Sequence, residues 1–231
     1  FYAKKHIKNK NIVNALALGM PGANTNLVYK KSFYGKSYSD KIFNYLGKFH
    51  NFKINHFREG GGADENAFDT PGVKIPCGYF LREPDKNYHT DLDTPKNLNQ
   101  KKFLSYQNML FDFINIVEKN SLIIPNSKEL ACLSHPKLNL YLNAEFSKII
   151  DPDKKNFLFK FLRDEKKNNY KLNVKLNFLM NYLCAMQHPE TTLDIANKIS
   201  LPFELIDSYT ELLKNKKIIK KSWYKFFNIK L

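Results

Sequence analysis

The stretch "GGGADENAFDTPGVKIPCGYFLREPDKNYHTDLDT", residues 60–94, decides how the first half of this chain is read. It opens on a glycine run of the kind that lets backbone approach a site closely. An apolar strand, "KIPCGYFLRE" from Lys74 to about Arg82, follows, and a loop carrying His89 comes directly after it. Upstream, "NIVNALALG" predicts a buried strand that stops at the turn-rich "MPGANTN", and "NLVYKKS" predicts a second. In "SDKIFNYLGKFH", Ile42, Phe43, Tyr45 and Leu46 recur at helical spacing, with Ser39 or Asp40 placed to cap the helix. "FKINHFRE" sets Phe52, Ile54 and Phe57 as a further strand. Downstream, "NLNQKKFLSYQNMLFDFINIVEKN" reads as a long amphipathic helix with Phe103, Tyr106, Leu110, Phe113, Ile114 and Val117 in one stripe. Strand, helix, strand, loop, strand, loop, helix is the rhythm of an α/β layered domain.

The second half changes character. From Ser121 to about Lys155 the period weakens and three prolines interrupt the chain, which suits a connecting segment packed on the first domain. "FLFKFLRDEKK" and "LNVKLNFLMNYLCAMQ" are helical in pattern, then "TTLDIANKIS", "LPFELIDSYTELLKNKKI" and the basic tail "IKKSW" follow. Short helix, turn, longer helix and a strand-like tail is the plan of a winged helix-turn-helix. The expected division is therefore 1–123, the closing part of an α/β domain; 124–166, the connecting segment; and 167–231, the winged helix. Met180 and Met186 fit core positions, as do Ile195, Ile199, Leu201, Phe203, Leu205, Ile206, Leu212 and Leu213, and Trp223 and Phe226 fit packing anchors for the wing.

The chain has 231 residues and an apolar fraction of 43%, enough for a sizeable core. It begins at Phe1 with no methionine before it, and a missing N-terminal part is expected. No apolar run reaches the roughly 18 residues of a membrane span, so no membrane partner is expected. Cys77, Cys132 and Cys184 form no CxxC pair, which points to a reducing, cytoplasmic setting. The net charge is +15, yet only Arg58, Arg82 and Arg163 are arginines. Lysines scattered among asparagines describe a solvated surface better than a phosphate-reading one.

Open α/β sheets place their chemistry beyond the carboxyl ends of the strands. Two such loops carry reactive side chains: one has Asp64 and Glu65, the other His89 with Asp91 and Asp93 beside it. An imidazole with nearby carboxylates is a ligand set for catalytic zinc. The same residues have plainer uses. A loop histidine often bonds a neighbouring carbonyl, and an aspartate after glycine often closes a turn.

The ordered set "GGADENAF", "TPGVKIPCGYF" and "NYHTDLDT" resembles the closing half of the zinc aminopeptidase fold shared with glutaminyl cyclases. More narrowly, with "VYKKS", "HPKL" and "LDIANKISLPFELI" in order, it is similar to bacterial aminopeptidase-like proteins that end in a winged helix and accompany surface-polysaccharide biosynthesis genes. The resemblance implies that His89 is the last metal-binding histidine and that Asp64 orients substrate beside the metal. It also places Glu65 and Tyr88 in the same cleft. It implies one zinc ion in the complete protein, a peptide-like or amide-bearing substrate, and a first histidine, bridging aspartate and catalytic glutamate lying before residue 1. Met20 stands where relatives carry an acid, which disfavours a second metal. By this reading the 231-residue piece is inactive alone.

A helix-turn-helix raises DNA binding as a rival. The front of the candidate recognition helix, however, offers Glu204, Asp207 and Glu211, which would face phosphates. Lys214, Lys216, Lys217, Lys220 and Lys221 gather at its far end, where a helix C-terminus favours cations. A protein partner or self-association through this unit is expected rather than nucleic acid.

Overall fold

The computed structural model describes residues 12, 14–138, 140 and 169–223. They fall into two compact units whose division in the chain lies between Asn115 and Ile116.

The first unit is a four-stranded mixed sheet with two helices. Its strands are β1 (Ala15–Leu18), β2 (Asn26–Lys30), β3 (Lys53–Asn55) and β4 (Cys77–Glu83), in the order β1-β4-β2-β3. β1 runs parallel to β4, and β2 parallel to β3, while β2 and β4 are antiparallel with Lys30 opposite Tyr79 and Asn26 opposite Glu83. Helix α1 (Tyr38–Leu46) connects β2 to β3, and α2 (Gln100–Lys119) follows β4.

Alternation along the strands sends side chains to two different faces. On one face Tyr29 stacks on Phe43 of α1 at 4.0 Å, Phe80 stacks on Tyr106 of α2 at 4.6 Å, and Phe113 stacks on Phe43 at 5.2 Å. Tyr29, Phe43, Phe80 and Tyr106 are buried, Phe113 half-buried, and each buried ring contributes about 1.5–3 kcal/mol of transfer free energy. On the other face Val28, Tyr79 and Leu81 form a smaller cluster, with Ala17, Met20 and Ala63 packed against it. Met20 is thus an apolar cover, as a thioether in place of an acid requires.

α1 is capped by Ser37 rather than by Ser39 or Asp40. The Ser37 hydroxyl accepts from the Asp40 amide, and the Asp40 carboxylate accepts from the Ser37 amide. This reciprocal box needs acid at the third helical position, which the Ser37–Asp40 spacing supplies. The stripe expected on α2 is also corrected. Tyr106, Met109 and Ile116 are buried, whereas Phe103, Leu104, Phe111 and Ile114 are exposed.

The second unit has three helices, α3 (Asn169–Ala185), α4 (Thr192–Ile199) and α5 (Phe203–Asn215). Its antiparallel sheet joins β5 (Ser121–Pro125), β6 (Glu190–Thr191) and β7 (Ile219–Trp223) in the order β6-β5-β7. Thr191 caps α4 by accepting from the Asp194 amide, and Ser200 ends it in the left-handed region at φ 56°. Pro202 then opens α5. The core holds Ile195, Leu201, Phe203, Leu205, Ile206 and Leu213 as expected, joined by Tyr209, whose hydroxyl donates to the Leu140 carbonyl at 2.9 Å.

β5 corrects the expected domain boundary at 123. It is the central strand of the second sheet, pairing Ser121 with Trp223 and Leu122 with Thr191, so it cannot be shared between a first domain and a connector. Trp223 is 61% exposed and is not a packing anchor. Phe226, "FLFKFLRDEKK" and most of the connecting segment lie outside the described residues.

The cysteines follow their burial. Cys77 and Cys184 are buried and Cys132 is exposed. Burial pushes the Cys77 thiol up to about 12 and raises that of Cys184, while hydrogen bonding with Ser134 lowers Cys132. Cys132 is thus the one exposed thiol of the three and the one whose thiolate its surroundings favour.

Candidate functional site

The glycine run crosses the Val28–Tyr79–Leu81 face of the first sheet, and a buried ion pair fixes it there. Lys30, at 2% exposure, points to this face because it shares strand parity with Val28. Its Nζ lies 2.8 Å from Glu83 Oε2 and donates to the Gly61 carbonyl at 2.9 Å. The ammonium also sits 5.8 Å from the Tyr79 ring centroid, within reach of its π face. A lysine this deep keeps its charge only where partners replace water, and here a carboxylate, a carbonyl and an aromatic face do so.

The loop anchored in this way carries the two acids. Asp64 and Glu65 open a short 3-10 helix, Asp64–Ala67, which packs against β1 and β4. Asp64 is exposed, and its side chain makes no hydrogen bond or ion pair with the described residues. Glu65 is 2% exposed. Its Oε2 accepts from the Ala63 amide at 2.7 Å, while its Oε1 is buried without a hydrogen-bond partner among the described residues. Gly62 makes this placement possible, since a Cβ there would overlap Glu65 Oε1 and press on Arg58 Nε. A buried carboxylate oxygen with nothing to accept from costs free energy, and such atoms collect where a ligand or proton is handled.

Tyr79 packs on this face beside Ala63, the residue before the two acids, and beneath the Lys30 ammonium. Burial raises its phenol pKa first, and the charges of Tyr88, Glu65, Glu83 and Asp64 raise it further. Its hydroxyl lies over Gly19 at the end of β1, where any Cβ would collide with it. Tyr79, Lys30 and Glu83 were missed in the sequence. Their only signal was a charged residue at the inward parity of each of two strands, which becomes readable once the register is known.

His89 takes no part in the hydrogen bonds and ion pairs that hold this loop. It is exposed, adopts the left-handed backbone region at φ 64°, and stacks its ring on Tyr88 at 3.9 Å and 25°. Asp91 and Asp93 beside it are exposed, and the cap of α2 is Asn99, whose side chain accepts from the Lys102 amide at 3.1 Å. Among the described residues no three His, Cys, Asp or Glu side chains stand close enough to share a cation. Asp64 and Glu65 thus sit together at the sheet face, but with His89 they do not form a three-ligand zinc shell. The described residues alone do not fit that metal.

No curated protein matches this chain. Among solved structures it is similar to a crystal structure from Clostridium acetobutylicum described as a "putative peptidase". The two share 19% identity with a TM-score of 0.62, over 90% of this chain and 42% of the other. The chain therefore spans less than half the length of that relative, and the likeness is one of mixed α/β fold. Residues 1–120 match the family model described as "Domain of unknown function (DUF4910)", and the chain belongs to that family.

Proposed function

We propose that this chain is part of a zinc-dependent, aminopeptidase-like hydrolase that acts on a peptide or amide bond. The observation that carries the reading is Glu65, a nearly fully buried carboxylate with one oxygen unpartnered. Asp64 beside it is free to orient an amide N–H, Tyr79 packs beside the same loop, and Tyr88 is assigned to line the substrate cleft. The resemblance sets the catalytic glutamate before residue 1; this reading instead gives Glu65 a share of the proton transfer, since a bare carboxylate oxygen held in place can accept a proton from a water that attacks a carbonyl, a contribution typically worth about 10²–10⁴ in rate. His89 is assigned as one zinc ligand, whose companions would come from outside the described residues; no step is routed through the metal. The fold likeness to a peptidase-described structure supports the class, and three free thiols suit the cytoplasm.

The test uses the complete protein. Metal content and hydrolysis of aminoacyl 4-nitroanilides are measured for wild type, Glu65→Gln and His89→Ala. Glu65→Gln should lower kcat about 100-fold or more with zinc content unchanged. His89→Ala should lower zinc content. Wild-type protein that binds no zinc and cleaves no aminoacyl amide would end the proposal.

For the second unit we propose a winged helix that engages a protein partner or a second copy of the chain. The acidic front of α5 supports this over nucleic acid. Lys221, almost wholly buried, is spent internally, lying 2.6 Å from Asp207 and 2.8 Å from Glu211. A cation on β7 already neutralised by two acids of α5 is not available to a phosphate. Duplex DNA should show no gel shift even at low salt; a salt-sensitive shift would restore the nucleic-acid reading.

A further inference from the structure

The turn that joins β2 to α1 presents two aromatic side chains to solvent, and the fold holds them rigidly. Phe33 is 59% and Tyr34 78% exposed. Their rings meet edge to face at 5.0 Å, and Phe33 meets Phe57, from the loop after β3, at 5.4 Å. The backbone on either side is clamped. The Phe33 amide donates to Asp69 Oδ2 at 2.8 Å, and the Ser32 and Ser37 amides donate to the buried Asp40 carboxylate at 2.9 and 2.7 Å. Gly35, at φ 63°, closes the turn by donating to the Ser32 carbonyl. Ordering two large apolar side chains in water has no stabilising return within the unit, so a wedge this well fixed is pre-organised for a partner.

The charge around the wedge says which partner. Lys31 and Lys36 flank it in sequence, and Arg58 follows Phe57. None of the three makes an ion pair or side-chain hydrogen bond with the described residues, in contrast to Lys30 next door. The carboxylates nearest the turn are engaged elsewhere, and Glu65, which shares the space above Gly62 with Arg58, forms no ion pair with it. Asp40 and Asp69 accept from backbone amides, and Glu59 accepts from the His56 amide at 3.0 Å and faces Lys53 at 3.9 Å.

We propose that this tip docks on an anionic phospholipid surface, with Phe33 and Tyr34 entering the headgroup boundary and Lys31, Lys36 and Arg58 meeting lipid phosphates. Phenylalanine and tyrosine are side chains suited to that boundary, and basic residues beside them are drawn to an anionic membrane. Base stacking in a single-stranded nucleic acid would need open ring faces, whereas these rings are packed against one another edge to face. The expectation of no membrane partner rested on the lack of a spanning stretch. Peripheral docking needs none, and among the described residues no helix is long and apolar enough to cross a membrane.

The experiment is co-sedimentation of the full chain with vesicles of phosphatidylcholine alone or with about 30% phosphatidylserine. The inference expects binding only to the mixed vesicles, weakened at least about threefold when NaCl rises from about 0.05 to 0.5 M. Phe33→Ser with Tyr34→Ser should cut that binding about tenfold or more while the unfolding midpoint is kept. Lys36→Glu with Arg58→Glu should do likewise, whereas the equal charge change Lys96→Glu with Lys101→Glu should alter binding less than about twofold. Absence of sedimentation at low salt overturns the proposal. So do equal losses in the two charge-reversal pairs, which would reduce it to the general attraction of a basic protein. Oligonucleotide binding that is lost with the aromatic pair would assign the tip to nucleic acid instead.

Discussion

Replacing Lys30 with methionine should destabilise the first unit by about 2–4 kcal/mol, read as a loss of unfolding free energy in urea. The cost comes from Glu83, which would keep its charge at the edge of the Tyr79 cluster with its nearest cation removed. Glu83 retains some contact with solvent, which places the figure below that for a wholly buried pair. Converting both partners, Lys30→Met with Glu83→Gln, should recover about half of the loss or more, because no unpaired charge then remains. The Gly61 carbonyl would lose its donor in either case. Hydrogen exchange at residues 60–63 should therefore rise in both variants, even in the double one where global stability returns. Lys30→Met without loss of stability, or without faster exchange in the glycine run, would show that the pair does not anchor this loop.

The second large effect is expected at Asp40. Its carboxylate, wholly buried, accepts from the Tyr29 hydroxyl at 2.8 Å, the Ser32 amide at 2.9 Å, the Ser32 hydroxyl, and the Ser37 amide at 2.7 Å. Asp40→Ala strands two buried amides and a phenol at once and removes half of the capping box of α1. An unsatisfied buried donor costs about 1–3 kcal/mol, so the total should reach about 4 kcal/mol or more. Tyr29→Phe, which removes one donor and leaves the others satisfied, should cost only about 1–2 kcal/mol. Urea unfolding of the two variants checks the ratio; similar losses for both would mean that Asp40 is not the hub of the network. The same carboxylate fixes the turn that carries Phe33 and Tyr34, so Asp40→Ala should also weaken any function of that tip.

Much of the first unit was legible from local pattern. "NLVYK" and "CGYFLRE" are apolar runs with the residue types of buried strands, and they form β2 and β4. The helix at "SDKIFNYL" was legible from Ile42, Phe43, Tyr45 and Leu46, all of which are buried. Its cap was missed although the serine-to-acid spacing was present, because Ser39 and Asp40 competed for the same role. α2 failed differently. It carries apolar residues on more than one side, and pattern alone cannot choose between Phe103 with Ile114 and Tyr106 with Met109 when both repeat at helical spacing.

For the candidate site, the glycine run with Asp64 and Glu65 stood out in the sequence because glycine in series and adjacent acids are local signals. The structure keeps those two together beside Tyr79, under a loop tied by Lys30 and Glu83, and leaves His89 stacked on Tyr88 at the surface. Lys30 and Glu83 lie on different strands, and nothing short of the β2–β4 register brings them within 2.8 Å.

By itself, then, the chain determined most strands and helices of the first unit and the helices Thr192–Ile199 and Phe203–Asn215, which acids ride on a glycine loop, and that arginine is scarce. Those follow from residue type and period, which act over a few neighbours. Tertiary structure alone decided that β5 joins a sheet with β6 and β7, and that Lys30 is buried against Glu83 while Lys31, beside an aromatic tip, pairs with no acid among the described residues. Pairing and burial depend on distances between segments remote in sequence, and a strand's register selects the neutralised charge while a local pattern cannot.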